Sequence, residues 1–378
     1  MTRSSPLTVV QILPALNAGG VERGTMEFAR ELSTRGHRSV VISSGGTLVQ
    51  QLEAEGSVHI QLPVHRKSPR TLLQIAPLRA ILLELKPDIV HVRSRMPAWI
   101  NWLALRSLPE NQRPVLISTV HGMYSVNAYS AIMTKADHII AISDCVLDYI
   151  TRNYNIDAAR ITRIYRGLDP SIFNHVDVDE QWLNTLMSEH PQLRGKRIIL
   201  MPGRLSRWKG QEAFLDVMKH IADSRSDVHG IVVGGAEPNK QHYLQELLAR
   251  RDNLGLKEQV SFMGHRTDIH SFYAFADVTC HLSNKAEPFG RTVPEALACG
   301  CPVVAYDRGG ASESLHRAFP QGLIEPDNSR AFADRILEIL SSPPQDIQLP
   351  EEFFLQQQVE QTLNVYYDAL TNKAETRL

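Results

Sequence analysis

The chain has 378 residues, 43% of them hydrophobic and 21% charged, an ordinary soluble composition at a length that predicts two domains, each with its own core. No stretch approaches the ~20 uninterrupted apolar residues of a membrane-spanning helix. The polar start Met1 to Pro6 and the run Leu7 to Leu16, broken by Gln11 and Pro14, do not make a secretion signal.

Four cysteines (Cys145, Cys280, Cys299, Cys301) show neither zinc-type pairing nor a disulfide framework, and read as reduced thiols of a cytoplasmic protein. The net charge of -1 conceals an asymmetry, since residues 1–170 carry 19 Lys+Arg against 13 Asp+Glu. A basic first half suits anionic lipid at the inner face of the cytoplasmic membrane or an anionic acceptor; a solvated surface without a partner fits equally well.

In chain order, Leu7 to Leu13, Ser39 to Ile42, Ile89 to Val92, Val115 to Val120 and His138 to Ile142 read as buried parallel strands. Helical patterns at Val21 to Arg35, Leu72 to Leu85 and Cys145 to Asn153 alternate with them, which is βαβ grammar. Asp169 to Gly195, punctuated by Pro170, Pro191 and Gly195, reads as a linker. A second series follows, with strands at Arg197 to Met201, Gly230 to Val233, Gln259 to Phe262, Val278 to Leu282 and Pro302 to Ala305. Its helices lie near Gly210 to Ala222 and Tyr243 to Arg251, and a last helix, Glu351 to Leu370, follows Pro343, Pro344 and Pro350. The predicted class is α/β, with Rossmann-like domains at 1–170 and 171–350 and a C-terminal helix at 351–378.

Ligands of open parallel sheets bind beyond the carboxyl ends of strands. After the first strand stands Asn17-Ala18-Gly19-Gly20, opening a helix; Gly19 and Gly20 let a phosphate or sugar approach the backbone, or simply make a turn. The segment is not G-x-G-x-x-G, and no acid ends the second strand, which argues against a dinucleotide-binding dehydrogenase. The first strand of the second domain leads into Pro202-Gly203-Arg204-Leu205-Ser206-Arg207-Trp208-Lys209-Gly210. Arg204 as a bidentate donor and Lys209 as a mobile point charge suit a diphosphate; a solvated basic loop is the alternative. Glu287 and Glu295, in Glu287-Pro288-Phe289-Gly290-Arg291-Thr292-Val293-Pro294-Glu295, suit sugar and ribose hydroxyls, although by spacing alone two glutamates eight apart are more often surface charge.

The E-x7-E pattern, continued by Ala298-Cys299-Gly300-Cys301-Pro302-Val303-Val304 and by Gly309-Gly310 with Glu313, resembles the donor-site signature of retaining family 4 glycosyltransferases of GT-B fold. So do Pro202-Gly203-Arg204 with Lys209-Gly210, and Gly19-Gly20, His91, His121-Gly122, Ser143 and Arg166-Gly167-Leu168-Asp169 fall at the family's places, so that the likeness spans nearly the whole chain. The resemblance implies two Rossmann-like domains facing a cleft, the last helix crossing back to the first domain, and a UDP- or GDP-type nucleotide-diphosphate sugar as donor. It assigns Glu295 to the ribose, Arg204 and Lys209 to the diphosphate, Glu287 and the amides of Phe289, Gly290 and Arg291 to the sugar and phosphate, and His121 to the reacting sugar. It implies retention of configuration with no protein nucleophile, no metal and no other cofactor. Pro294 before the second glutamate, and Arg166 where the family often has Asn, depart from the pattern.

Arg93 and Arg95, in His91-Val92-Arg93-Ser94-Arg95-Met96-Pro97-Ala98-Trp99, are candidates for an acidic acceptor. With Gly122-Met123-Tyr124-Ser125 this loop resembles bacterial enzymes of lipopolysaccharide-core or surface-glycan synthesis, which implies a glycan or glycolipid acceptor and no nucleic acid. Trp99 and Trp102 serve either as core or as a sugar-stacking surface. The competing functions are a nucleotide-sugar epimerase of the same fold and a non-catalytic nucleotide-sugar-binding protein.

Overall fold

The computed structural model describes residues 5–17, 19–175, 177–237 and 241–376. Met1 to Ser4 of the polar start, and Ala18 of the glycine loop, lie outside the described residues. The chain divides into two compact units, Met1–Gly167 with Leu355–Leu378, and Leu168–Phe354.

The first unit is built on seven parallel strands: β1 Thr8–Ile12, β2 Arg38–Ser43, β3 Val58–Gln61, β4 Ile89–Val92, β5 Val115–Val120, β6 His138–Ala141 and β7 Ile161–Arg163. Their order in the sheet is 3-2-1-4-5-6-7. The central strands β4 and β5 are buried at every position, which is why they read as mostly apolar, β-branched runs. The edge strands β3 and β7 are half-exposed and lack such runs, so they escaped the sequence reading. The expected helix at Leu72 to Leu85 begins as a 3₁₀ turn, Pro69–Gln74, and becomes α-helical over Ile75–Leu85.

The last helix, Leu355–Thr376, belongs to this first unit. Leu355, Val359, Leu363 and Tyr366 recur at helical spacing and enter the core formed by Val9, Phe28, Leu32 and Ile117. The Tyr366 ring stands edge-on to Phe28 at 6.0 Å. Phe353, two residues before the helix, is instead buried in the second unit, 6.5 Å from Phe289. The aromatic residues at the end of the chain are therefore divided between two cores.

The second unit carries β8 Arg197–Pro202, β9 Val228–Val233, β10 Val260–Phe262, β11 Val278–His281, β12 Val303–Tyr306 and β13 Leu323–Ile324, in the order 10-9-8-11-12-13, again all parallel. Both sheets reverse strand order beside their first strand, the crevice position of doubly wound folds. The segment read as a linker holds a helix, Glu180–Glu189, capped by the Asp179 carboxylate, which accepts from the Trp182 amide at 2.8 Å. Trp182 packs edge-on against Phe272 at 5.0 Å and donates its indole N–H to Asp268 at 2.6 Å. A polar sequence thus hides a docked helix whose anchor is one tryptophan.

Candidate active site

In the second unit the loop after β8 returns to the sheet at Gly210, which caps the helix Gln211–Ala222 in the left-handed conformation (φ 83°). A side chain there would meet the Leu282 carbonyl, 2.0 Å from its Cβ, so glycine alone lets the loop close on the end of β11. That closure delivers Lys209 to Glu287. The Lys209 ammonium stands 2.7 and 2.9 Å from the two Glu287 carboxylate oxygens. Ser283, just past β11, donates its hydroxyl to the same carboxylate.

Behind Glu287 the chain lies against the loop after β12. The Gly310 amide donates to the Glu287 carbonyl at 2.7 Å, and a Cβ on Gly309 (φ 69°) would stand 2.8 Å from that carbonyl. The Gly309-Gly310 pair is therefore what seats the Glu287 backbone.

Burial opposes ionisation of Glu287, but His281, Lys209 and the hydrogen bonds from Lys209 and Ser283 outweigh it and hold the carboxyl at about 2. His281 is itself held neutral by burial, its pKa lowered despite the nearby carboxylate. Two of the three Lys209 N–H groups are spent on Glu287, leaving one to meet an incoming anion.

Glu295 lies in the short helix Thr292–Ala298 and is 5% exposed. Its carboxylate accepts from Arg291 Nε at 2.7 Å and from the Tyr273 hydroxyl at 3.1 Å. Phe289 is a core residue, and Gly290 is buried beside Ala311. Gly203 donates its amide to the Val233 carbonyl at 2.8 Å. Arg204 stands apart, with its side chain 75% exposed and paired with Glu237 at 2.6 Å. The structure thus joins Lys209 with Glu287 and Arg291 with Glu295, and leaves Arg204 at the surface. Sequence reasoning missed Ser283, Tyr273 and His281. A histidine closing the buried strand Val278–His281 was the available signal.

In the first unit, Gly19 and Gly20 open the helix Gly20–Thr34 with Gly19 extended, and the Arg166 guanidinium donates to the Gly20 carbonyl. His91 is buried between the Tyr366 hydroxyl and the Thr119 hydroxyl, each 2.6 Å away. Arg93 is 4% exposed, donates Nε to the Gln11 side chain at 2.9 Å and lies 5.7 Å from the Phe28 ring centre. His121 follows β5, and both its ring nitrogens are buried without a hydrogen-bond partner among the described residues. Burial, then Arg166 and Arg93, push its pKa well below the ordinary value, so it is neutral at pH 7.

Arg95 does not join this group. It stacks 4.5 Å from Tyr124 and 5.2 Å from Tyr129 and donates to the Ser130 hydroxyl at 3.2 Å. Trp99 donates its indole N–H to the Tyr129 carbonyl at 3.0 Å and lines an apolar groove of about 310 Å3. Trp102 stands edge-on to it at 5.8 Å.

Comparison with known proteins agrees with this arrangement of two doubly wound units. Residues 18–172 match the sequence model of Glycosyltransferase Family 4, and residues 184–353 that of Glycosyl transferases group 1. A solved glycosyltransferase from Rickettsia africae is 30% identical and superposes with a TM-score of 0.86 over 97% of this chain and 99% of its own. The spore coat protein SA of Bacillus subtilis is 26% identical over 347 residues, 87% of either chain. The Anabaena protein HepE, solved with UDP and glucose, shares the fold at a TM-score of 0.78 and 23% identity, over 96% of this chain and 100% of its own. With a family 4 region followed by a group 1 region on two parallel α/β sheets, the chain belongs to the GT-B glycosyltransferases.

Proposed function

We propose that this glycosyltransferase moves a hexose or N-acetylhexosamine from a UDP- or GDP-sugar to a glycan or lipid-linked acceptor of a bacterial surface polysaccharide of the lipopolysaccharide kind, with retention of configuration and without a metal. The observation that carries the donor assignment is the Lys209–Glu287 pair: a cationic donor for an anion and a carboxylate acceptor for hydroxyls, preassembled 2.7 Å apart at a strand end. Lys209, with Arg204, neutralises charge on the departing diphosphate. Glu287 accepts from hydroxyls of the transferred sugar, and Glu295 from the ribose diol. The bond from the anomeric carbon to the phosphate oxygen breaks as the acceptor oxygen bonds on the same face, and the acceptor proton passes to the leaving phosphate. Arg93 and His121 receive the acceptor.

Glu295→Ala and Lys209→Ala each abolish transfer in a chain that keeps its circular dichroism; unchanged turnover in both overturns the donor assignment. Mass spectrometry with the donor alone separates transfer from epimerisation, which changes the sugar without an acceptor. Tight binding of UDP or GDP with no turnover across a broad acceptor panel points to a non-catalytic binding protein instead.

A second reading, that the chain works at an anionic membrane surface, is favoured by one surface of the first unit. Leu72 and Leu73 are 46% and 72% exposed beside His65-Arg66-Lys67-Ser68-Pro69-Arg70, and residues 56–83 contain no Asp or Glu. Apolar side chains set among cations suit the interface of an anionic bilayer. Co-sedimentation with phosphatidylglycerol vesicles at low salt, lost in Leu72→Glu/Leu73→Glu, is the expected result. Absence of sedimentation at low salt refutes it.

A further inference from the structure

Two buried groups at the strand ends of the first unit lack what buried polar groups ordinarily have among the described residues: Arg93 a counter-charge, and the His121 ring a hydrogen-bond partner. Arg93 is 4% exposed, yet among the described residues no carboxylate pairs with it. Its contacts are the neutral Gln11 side chain and the face of Phe28. A guanidinium taken out of water is costly without a counter-charge, and proteins normally supply one. Around it stand His121, whose two ring nitrogens are buried and unpartnered, His91 and Arg166. These four line one small opening at the ends of β4, β5 and β7. Its open volume, about 20 Å3, is that of roughly one water molecule or the oxygen tip of a larger anion.

Burial lowers the pKa of both His121 and His91, and nearby positive charge lowers it further, from Arg166 and Arg93 at His121 and from Arg93 at His91. A neutral imidazole keeps one N–H to donate, and a guanidinium keeps the donors not spent on Gln11. The buried charge of Arg93 and the unpartnered ring of His121 therefore call for the same component, an acceptor-rich negative group.

We propose that Arg93, Arg166 and His121 form a receptor for an oxyanion, a phosphate or carboxylate, borne by the acceptor molecule. Arg93 supplies the buried charge, Arg166 closes over the anion from the half-exposed side, and His121 donates from its N–H. Assigning the anion to the acceptor rests on the glycosyl-transfer reading above; the existence of the receptor does not. The diphosphate of the donor is the other source of such a group, and the test distinguishes the two.

The measurement is thermal unfolding of the full chain in potassium phosphate against potassium chloride of equal ionic strength. Phosphate at millimolar concentration should raise the melting temperature of the wild type, and of Lys209→Ala, by about 2–4 °C more than chloride does. Arg93→Met and Arg166→Gln should lose that increment. Comparison among variants removes the general salting-out effect of phosphate, which all of them share. Should Arg93→Met fail to fold, Arg166→Gln, changed at a half-exposed position, decides alone. An increment absent from the wild type, retained in Arg166→Gln, or lost in Lys209→Ala overturns the receptor.

A second arm uses UDP and GDP. Their protection should vanish in Lys209→Ala and persist in Arg166→Gln; the reverse pattern overturns the acceptor assignment by giving the opening to the donor diphosphate. Failure of sugar transfer itself would appear in the turnover assays and leave the phosphate increment unchanged, so the two ideas fail separately.

Discussion

The two units place charge at their strand ends in opposite ways. In the second, each charged residue of the proposed donor site has a partner of opposite sign: Lys209 with Glu287, Arg291 with Glu295, Arg204 with Glu237. In the first, Arg93 and two neutral histidines line one opening with no acid among the described residues that line it. A compensated site holds its shape without ligand and must exchange internal bonds to bind. An uncompensated one spends folding stability to stay receptive, and gains most when its ligand arrives.

The largest effect should come from removing what supports the uncompensated side. A chain ending at Phe354 takes Leu355, Val359, Leu363 and Tyr366 out of the first core and deprives His91 of its Tyr366 hydroxyl. At about 1.5–3 kcal/mol per large buried side chain, the loss is on the order of 6–12 kcal/mol, comparable to the stability of a whole domain. Hydrogen exchange should find the first unit unprotected and the second still folded. Equal protection in both would show that the helix is dispensable to the first core.

On the compensated side, Lys209→Met should lower transfer by about 10²–10³-fold. It also strands a carboxylate that is 8% exposed, at a cost of about 3 kcal/mol in urea unfolding. Adding Glu287→Gln removes the stranded charge, so the double variant should recover at least about 1 kcal/mol of that stability without recovering activity. A double variant no more stable than the single would mean that the two side chains are not energetically coupled.

How much of this was legible in sequence follows the same division. The central strands and the alternation with helices showed because burial on both faces writes an apolar run. The edge strand β7, the two-residue β13 and the Trp182 helix did not, since half-exposed or polar segments carry no such mark. Lys209 and Glu287 were candidates from their loops, but their pairing depends on the Gly210 closure, a contact between segments more than 70 residues apart, and on Ser283 and His281, which meet Glu287 only as the loop after β11 folds back. Arg93 and Arg95 looked equivalent two residues apart. One ends in the core against Phe28 and the other on Tyr124, because Arg93 leaves the strand end inward while Arg95 begins the next helix.

Acid should act in two stages. His91 and His121 sit well below the ordinary 6.5 because burial disfavours their charged forms. Below 6.5 the unfolded chain therefore binds protons the folded chain refuses, and stability falls as pH drops from there. His281, and His229 held at about 4 by burial, give the second unit a share of this loss. The Glu287 carboxyl contributes oppositely placed stability: it is full above the ordinary 4.5 and is lost as pH falls from 4.5 through about 2. Urea midpoints should thus decline from pH 7 to 5 in the wild type and in Glu287→Gln alike, with the two curves differing in slope only below about 4.5. Midpoints flat between pH 7 and 5 would contradict the buried neutral histidines.

The smallest effect should be Arg204→Ala on stability. Its side chain is 75% exposed and its ion pair with Glu237 is a surface one, so loss of the pair should change the urea midpoint by less than about 0.5 kcal/mol. Activity is the sharper readout, because in the proposed role an exposed guanidinium grips the diphosphate and so acts on the donor and not on the fold. Donor KM should rise, with a smaller fall in kcat, and Arg204→Lys should restore only part of it, since a point charge cannot reproduce a bidentate donor. If kcat, KM and stability all stay at wild-type values, Arg204 does no more than pair with Glu237, and the diphosphate is held by Lys209 and backbone amides.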